Sequence, residues 1–298
     1  MKVLIFGGSG FVGQHLAKRL LQSDYQVMIP SRSSRPLLYG EVIPYSTGQI
    51  GELLASIKEK YAIINLAGES INSGRWTPQR KETILQSRIR LTNAITEAIC
   101  SAAHKPEVLI NASAVGYYGY SDTQTFDESS RSGEGFLAEV TRQWEQAAQQ
   151  ASTDTRVVTA RIGVVLGREG GALPRMVLPY RLLAGGRVGS GRQWMSWIHI
   201  TDVTRIFLHI LQNEKMTGPI NVTAPHPVTM DQFGHVIGSV INRPHWIPVP
   251  AFVLQIMLGE KSEIVLQGQK AVPLALQKHG YSFEYPTVES ALSNLLQA

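Results

Sequence analysis

A single cysteine, Cys100, stands among 298 residues, so no disulfide can form within the chain. It falls in an apolar helical pattern with Ala94, Ile95, Ala98 and Ile99, which predicts a buried structural thiol. Long hydrophobic runs are missing too. No stretch approaches the roughly 20 apolar residues of a membrane span, and the short apolar run after Met1-Lys2 is too brief for a signal peptide. A soluble, cytoplasmic protein is expected, with no membrane partner. Charge is sparse at 17% of residues, and the net +5 is spread without a run of five lysines and arginines. That scatter argues against nucleic acid and for a phosphorylated small ligand. The eight histidines contain no H-x-x-x-H pairing, and with one cysteine no metal site is expected.

What is present is an ordinary globular composition, 43% hydrophobic, in a chain long enough to bury a substantial core. Lys2–Phe6, Gln26–Pro30, Ala62–Leu66, Val108–Asn111 and Arg156–Ile162 are near-continuous apolar runs, as strands covered on both faces should be. Between them lie helical patterns such as Val12, Leu16 and Leu20. The alternation predicts an α/β fold, a Rossmann-type doubly wound parallel sheet. After Val165 glycines and then prolines become dense, with helices expected near 202–212, 231–241 and 288–296. Residues 1–165, with 195–225 returning to them, are expected to form the Rossmann domain. Residues 166–194 and 226–298 would form a smaller substrate-binding part.

Gly7, Gly10 and Gly13 form a G-x-x-G-x-x-G pattern directly after the first strand, and Phe11 and Val12 open the first helix. Such glycines permit a tight turn and close approach of backbone to a pyrophosphate, and the helix N-terminus offers free N–H groups to the phosphates. The strand before and the helix after are the confirming context. The second strand runs into Pro30-Ser31-Arg32-Ser33-Ser34-Arg35, and no acid lies between Tyr25 and Gly40. An acid there would bind the ribose 2′-hydroxyl of NAD. Ser31 and Arg32 instead suit a 2′-phosphate, so NADP is preferred over NAD.

These glycines, Asn65-Leu66-Ala67-Gly68 and Trp197-Ile198-His199-Ile200-Thr201-Asp202 together resemble the extended short-chain dehydrogenase/reductases. Asn65–Glu69 with Arg75-Trp76, Ser113–Gly119, Arg161–Gly171 and Gly189-Ser190-Gly191 narrow the resemblance to the atypical branch labelled "epimerase family protein". The likeness also takes in Gly268-Gln269-Lys270 and Pro273. It implies that Leu66 and Ala67 pack along the adenosine ribose and pyrophosphate. Arg88, standing where extended members carry asparagine, would contact phosphate with Glu82 orienting it. Gly163-Val164 would lie beside the nicotinamide. Dimers of extended relatives, formed through helices equivalent to 78–103 and 136–151, make a homodimer a candidate assembly.

The superfamily's Tyr-x-x-x-Lys pair, which moves a proton while the nicotinamide moves a hydride, is absent: none of the ten tyrosines has lysine four residues on. Aligning Glu145 with the acid that follows the pair puts Leu137 and Thr141 at its two positions. Ser113 remains where the superfamily's hydroxyl residue sits. Tyr117, beside Tyr118 in a glycine-bracketed loop, is the first choice for a displaced acid. His199 is a second candidate, with a structural, hydrogen-bonded role favoured. Arg161, Arg175, Arg192, Gln193, Trp194 and Trp197 are candidates for a pocket taking an anionic or sugar-like substrate. The reading that follows is an NADP(H)-binding oxidoreductase or epimerase-like enzyme on an unidentified sugar-like or carbonyl substrate. The alternative is a non-catalytic NADP-dependent sensor.

Overall fold

The computed structural model describes residues 1–32 and 36–297; Ser33, Ser34 and Arg35 lie outside the described residues. A seven-stranded, wholly parallel sheet forms the centre. Its strands are β1 (Lys2–Phe6), β2 (Gln26–Ser31), β3 (Glu41–Pro44), β4 (Tyr61–Asn65), β5 (Val108–Ala114), β6 (Arg156–Ile162) and β7 (Gly218–Val222), in the spatial order β7-β6-β5-β4-β1-β2-β3. The order reverses between the neighbouring strands β1 and β4, which is where ligands bind in sheets of this kind.

Alternation along β1 shows why the sheet is covered on both sides. Val3 and Ile5 join one core, with Leu16, Leu20, Val203, Ile206 and Phe207. Leu4 and Phe6 join the other, with Ile50, Leu54, Ile95 and Ile99. The first core is roofed by α1 (Phe11–Leu21) and α6 (Ile200–Gln212), the second by α2 (Ile50–Ser56), α3 (Pro78–Ser101) and α4 (Phe136–Gln149). Pro78 opens α3, where its missing N–H costs nothing, and the Thr77 side chain caps the helix by accepting from the Arg80 N–H at 3.2 Å.

Two strands escape the sequence pattern. β3 is short, only half-buried and ends in proline, and β7 begins Gly218-Pro219. Both sit at sheet edges, where proline is tolerated because one ladder is unpaired. Cys100 corrects another expectation: its thiol is exposed, on the outer side of α3 near its C-terminus. Alanines 94 and 98 and isoleucines 95 and 99 are partly or wholly buried, and the residue after them turns to solvent.

A third core holds the remaining segments together: Leu173, Val177 and Tyr180 of α5 (Leu173–Arg181), Phe233 and Ile237 of α7 (Met230–Val240), and Leu292 and Leu295 of the C-terminal helix Val288–Gln297. Asp202, fully buried in α6, anchors the C-terminal segment. It accepts from the Tyr281 hydroxyl and from the N–H groups of Glu284 and Tyr285, each at 2.9 Å. α8 (Ala251–Leu258) buries no residue, and exposes Phe252, Ile256 and Met257. Among the described residues no helix is long and apolar enough to cross a membrane.

Candidate functional site

The glycines after β1 are forced by backbone crowding. Gly7 has φ +77°, and a Cβ there would sit 2.8 Å from the Ala67 nitrogen. At Gly13 a Cβ would come within 2.6 Å of the Gly7 carbonyl oxygen and the Gly8 Cα. The turn therefore closes against α1 and against the loop after β4, leaving bare backbone at the sheet's carboxyl edge. No side chain caps α1 at Gly10, and its first turn holds no acid. That leaves the helix's partial positive charge and first N–H groups for an anion. Phe11 and Val12 are half-buried, and the Phe11 ring fills the space that side chains at Gly167 and Gly170 would occupy.

Leu66 and Ala67 follow β4 with their backbone close against Gly7. Their turn is set by Asn65, whose Oδ1 accepts from the Ala67 N–H at 3.2 Å while its Nδ2 donates to Asn111 at 2.7 Å and to Thr92 at 3.0 Å. Trp144 donates to the same Thr92 hydroxyl at 2.9 Å. Arg88 lies under this loop: a Cβ at Gly68 would be 2.9 Å from its Cζ. Its Nη1 donates to the carbonyls of Ile84 and Glu69, and its guanidinium lies over the Trp144 ring. Burial pulls the Arg88 pKa down to about 10, opposed by Glu69 and reinforced by Arg80. Glu82, expected to orient Arg88, is exposed on α3 and takes no part in these bonds. Arg32 is exposed just past the end of β2, and its charge acts on the half-buried Tyr45. Ser31 is the last residue of β2, paired with Pro44.

Beyond β5 the polar groups are bound to one another. Ser113 donates from Oγ to Glu145 Oε1 at 2.6 Å. Glu145 receives Arg161 through both prongs, Nε to Oε1 and Nη2 to Oε2, each at 2.9 Å. Arg161 also donates to the Tyr118 hydroxyl at 3.0 Å, which in turn donates to Asn221 at 2.7 Å. Burial opposes the charge on Arg161, but the Glu145 hydrogen bonds and charge win and raise its pKa. Burial pushes the Tyr118 hydroxyl up to about 12. Tyr117 differs. Its half-buried ring lies 3.5 Å from the Arg161 guanidinium carbon, and among the described residues its hydroxyl has no hydrogen-bond partner.

At the two positions of the missing pair, Leu137 packs beside Gly116, and Thr141 donates to the carbonyls of Leu137 and Ala138 in its own helix. His199 is 2% exposed and caps α6: its Nδ1 accepts from the Thr201 N–H at 3.0 Å, and its Nε2 meets Asn294 Oδ1 at 3.2 Å. The ring is thus neutral with its proton on Nε2, and burial lowers its pKa. Val164, half-buried, starts a short strand beside Trp197.

The remaining pocket candidates each have their own partners or face solvent. Arg161 is held as described. Gln193 donates to the carbonyls of Val188 and Val265, and Trp197 is buried with its Nε1 on the His226 carbonyl. Trp194 donates to the Asp122 carbonyl, and Arg175 and Arg192 are exposed. Sequence reasoning missed Asn65 as the organiser of the loop, and the closed Ser113–Glu145–Arg161–Tyr118–Asn221 chain. The polar residues inside otherwise apolar strands were the available signal.

Comparison with known proteins agrees with this geometry. The model of the NAD dependent epimerase/dehydratase family matches residues 3–223, and a domain of unknown function, DUF1731, matches residues 249–295. Epimerase family protein YfhF of Bacillus subtilis is 44% identical over 99% of this chain and 98% of its own length. The chloroplastic SDR39U1 homolog of Arabidopsis thaliana is 40% identical, covering 100% of this chain and 87% of that protein. The crystal structure of human epimerase family protein SDR39U1 with NADPH superposes with a TM-score of 0.91 at 35% identity, over 100% of this chain and 99% of that one. With the glycine cradle, the strand order and matches along nearly all its length, the chain belongs to the NAD dependent epimerase/dehydratase family, as an atypical extended short-chain dehydrogenase/reductase.

Proposed function

We propose that this protein binds NADP(H) in the crevice between the Gly7–Gly13 turn and the Leu66–Ala67 loop, and acts as an oxidoreductase or epimerase-like enzyme on a small sugar-like or carbonyl substrate. The observation that carries the cofactor reading is the backbone cradle at Gly7 and Gly13, where no Cβ fits, beneath an uncapped helix. The pyrophosphate would lie on the first N–H groups of α1, including those of Phe11 and Val12. Arg32, with no acid beside it in sequence, would meet the 2′-phosphate. Arg88, close beneath Gly68, adds positive charge to the other wall. The NADPH in the human relative supports the same choice of cofactor.

When bound, the nicotinamide supplies hydride transfer. The chain's part is to hold the substrate and handle a proton. Ser113 already donates its proton to Glu145, so it positions the Glu145–Arg161 pair and is a poor proton donor. Tyr117 has a ring lying on the Arg161 cation and a hydroxyl with no hydrogen-bond partner among the described residues, which makes it the candidate acid. A second reading, a non-catalytic NADP-dependent sensor, is favoured by Leu137 and Thr141 in place of the catalytic pair.

Titration with NADPH and NADH, on wild type and Arg32→Ala, tests the cofactor reading. Tighter binding of NADPH, lost in the variant, supports it, and equal binding that the variant leaves unchanged refutes the NADP preference. NADPH oxidation with a panel of carbonyl compounds then separates the two readings. Turnover that drops by about 10²–10⁴ in Tyr117→Phe, with NADPH affinity intact, is the enzyme outcome. Tight NADPH binding with no turnover is the sensor outcome.

A further inference from the structure

Apart from the glycine cradle, three side chains with metal-ligating chemistry converge on the C-terminal part of the molecule. Asp231 and His235 stand four residues apart on α7 and so share a face. His245 arrives from the segment between α7 and α8. Its Nε2 is 3.2 Å from Asp231 Oδ1, and His235 Nε2 is 3.7 Å from Asp231 Oδ2. The two imidazole rings are 4.2 Å apart, centroid to centroid. One ligand atom from each residue lies within 4.8 Å of the other two.

These spacings match a coordination shell. Nitrogen and oxygen donors held at about 2.0–2.2 Å on a tetrahedral zinc ion lie roughly 3.4 Å from one another. The separations of 3.2 and 3.7 Å, from the two imidazoles to the two oxygens of the one carboxylate, lie near that value. The third closes by rotation of His235, whose ring is exposed. His245, by contrast, is nearly buried and already aimed: its Nδ1 is 2.7 Å from the Tyr180 hydroxyl. If Nδ1 carries the proton and Tyr180 accepts it, the Nε2 lone pair points at Asp231. Such a partner fixes the tautomer and orientation of a ligating histidine. Gly234 makes this approach feasible, since a Cβ there would be 2.4 Å from His245 Cε1 and 2.5 Å from the Tyr180 hydroxyl. The segment itself is pinned on both sides, Arg243 N–H to the Gly238 carbonyl and Trp246 N–H to the Gly185 carbonyl.

We propose that Asp231, His235 and His245 form a site for a divalent transition-metal ion of the zinc class. One carboxylate and two neutral imidazoles suit zinc, nickel or copper rather than magnesium or calcium, and a fourth position is left for water. The ion clasps α7 to the segment that leads into α8, and so couples the order of the substrate-side part to metal supply.

The test is titration of untagged, chelator-treated full-length protein with Zn²⁺ by calorimetry, with Co²⁺ absorption as a spectroscopic reporter and Mg²⁺ as control. One Zn²⁺ per chain, visible Co²⁺ bands of a four-coordinate site, a raised melting temperature and no response to Mg²⁺ are expected. His235→Ala, which leaves the buried Tyr180–His245 contact in place, should weaken Zn²⁺ binding by at least about tenfold. Asp231→Asn should do the same. Absence of saturable binding, or binding unchanged in both variants, overturns the proposal.

Discussion

Glu145 on α4 and Arg161 on β6 grip each other through two 2.9 Å hydrogen bonds, and the pair is almost fully buried. A cluster of this kind is held together by complete satisfaction: Ser113 fills a further position on the acid, and Tyr118 one on the arginine. Leaving either charge alone in that place is expensive. Arg161→Met is therefore expected to lower unfolding free energy by about 3–5 kcal/mol, measured by urea denaturation. The double variant Glu145→Met/Arg161→Met should recover part of the loss, because no buried charge is left unpaired. A single variant as stable as wild type would contradict this account.

Gly13 faces the backbone of Gly7 and Gly8, with a prospective Cβ 2.6 Å from the Gly7 oxygen. Gly13→Ala should push α1 away from the turn and lower NADPH affinity by at least about tenfold, equivalent to 1.4 kcal/mol. Gly48, where an added Cβ meets nothing, is the control. Gly48→Ala should leave fluorescence titrations unchanged.

His199 has its pKa lowered below 6.5 by burial, so the folded protein binds the neutral ring. The unfolded chain takes up the proton first as pH falls. Its contribution to stability is thus complete above pH 6.5 and declines as pH drops below that value. In His199→Asn, where the new side chain still caps α6, the fall in melting temperature on acidification should be shallower. It should not vanish, because His15 and His209 are shifted in the same direction by burial.

Cys100 should react with an aromatic disulfide reagent in the native state at one equivalent per chain, since its thiol is exposed. The reaction should be slower than that of a free thiol at the same pH. Desolvation and the neighbouring Asp154 raise its pKa and reduce the thiolate fraction. Absence of reaction without denaturant would restore the buried-thiol expectation.

Local pattern carried much of this architecture. Lys2–Phe6 is legible because both faces of a central strand must be apolar, and Gly7–Gly13 because a turn against two backbones tolerates no side chain. β3 and β7 were not legible, since edge strands need neither continuous apolarity nor freedom from proline. Pairings across long separations were equally hidden. Glu145 and Arg161 read separately as a helix acid and a strand cation, and only the packing of α4 on β6 brings them together. The Asp231–His235 spacing could be read from α7 alone. His245 could not be joined to it, because its place depends on the bare Gly234 surface.

The contact between Phe11 and the Gly167–Gly171 segment links positions more than 150 residues apart in number into one inherited unit. With a large ring at 11, any side chain at 167 or 170 collides with it; with a small residue at 11, those two positions are released to vary. Related sequences should therefore change at these sites together, and a chimera that takes its first helix from one relative and its later segments from another should fail at this seam first.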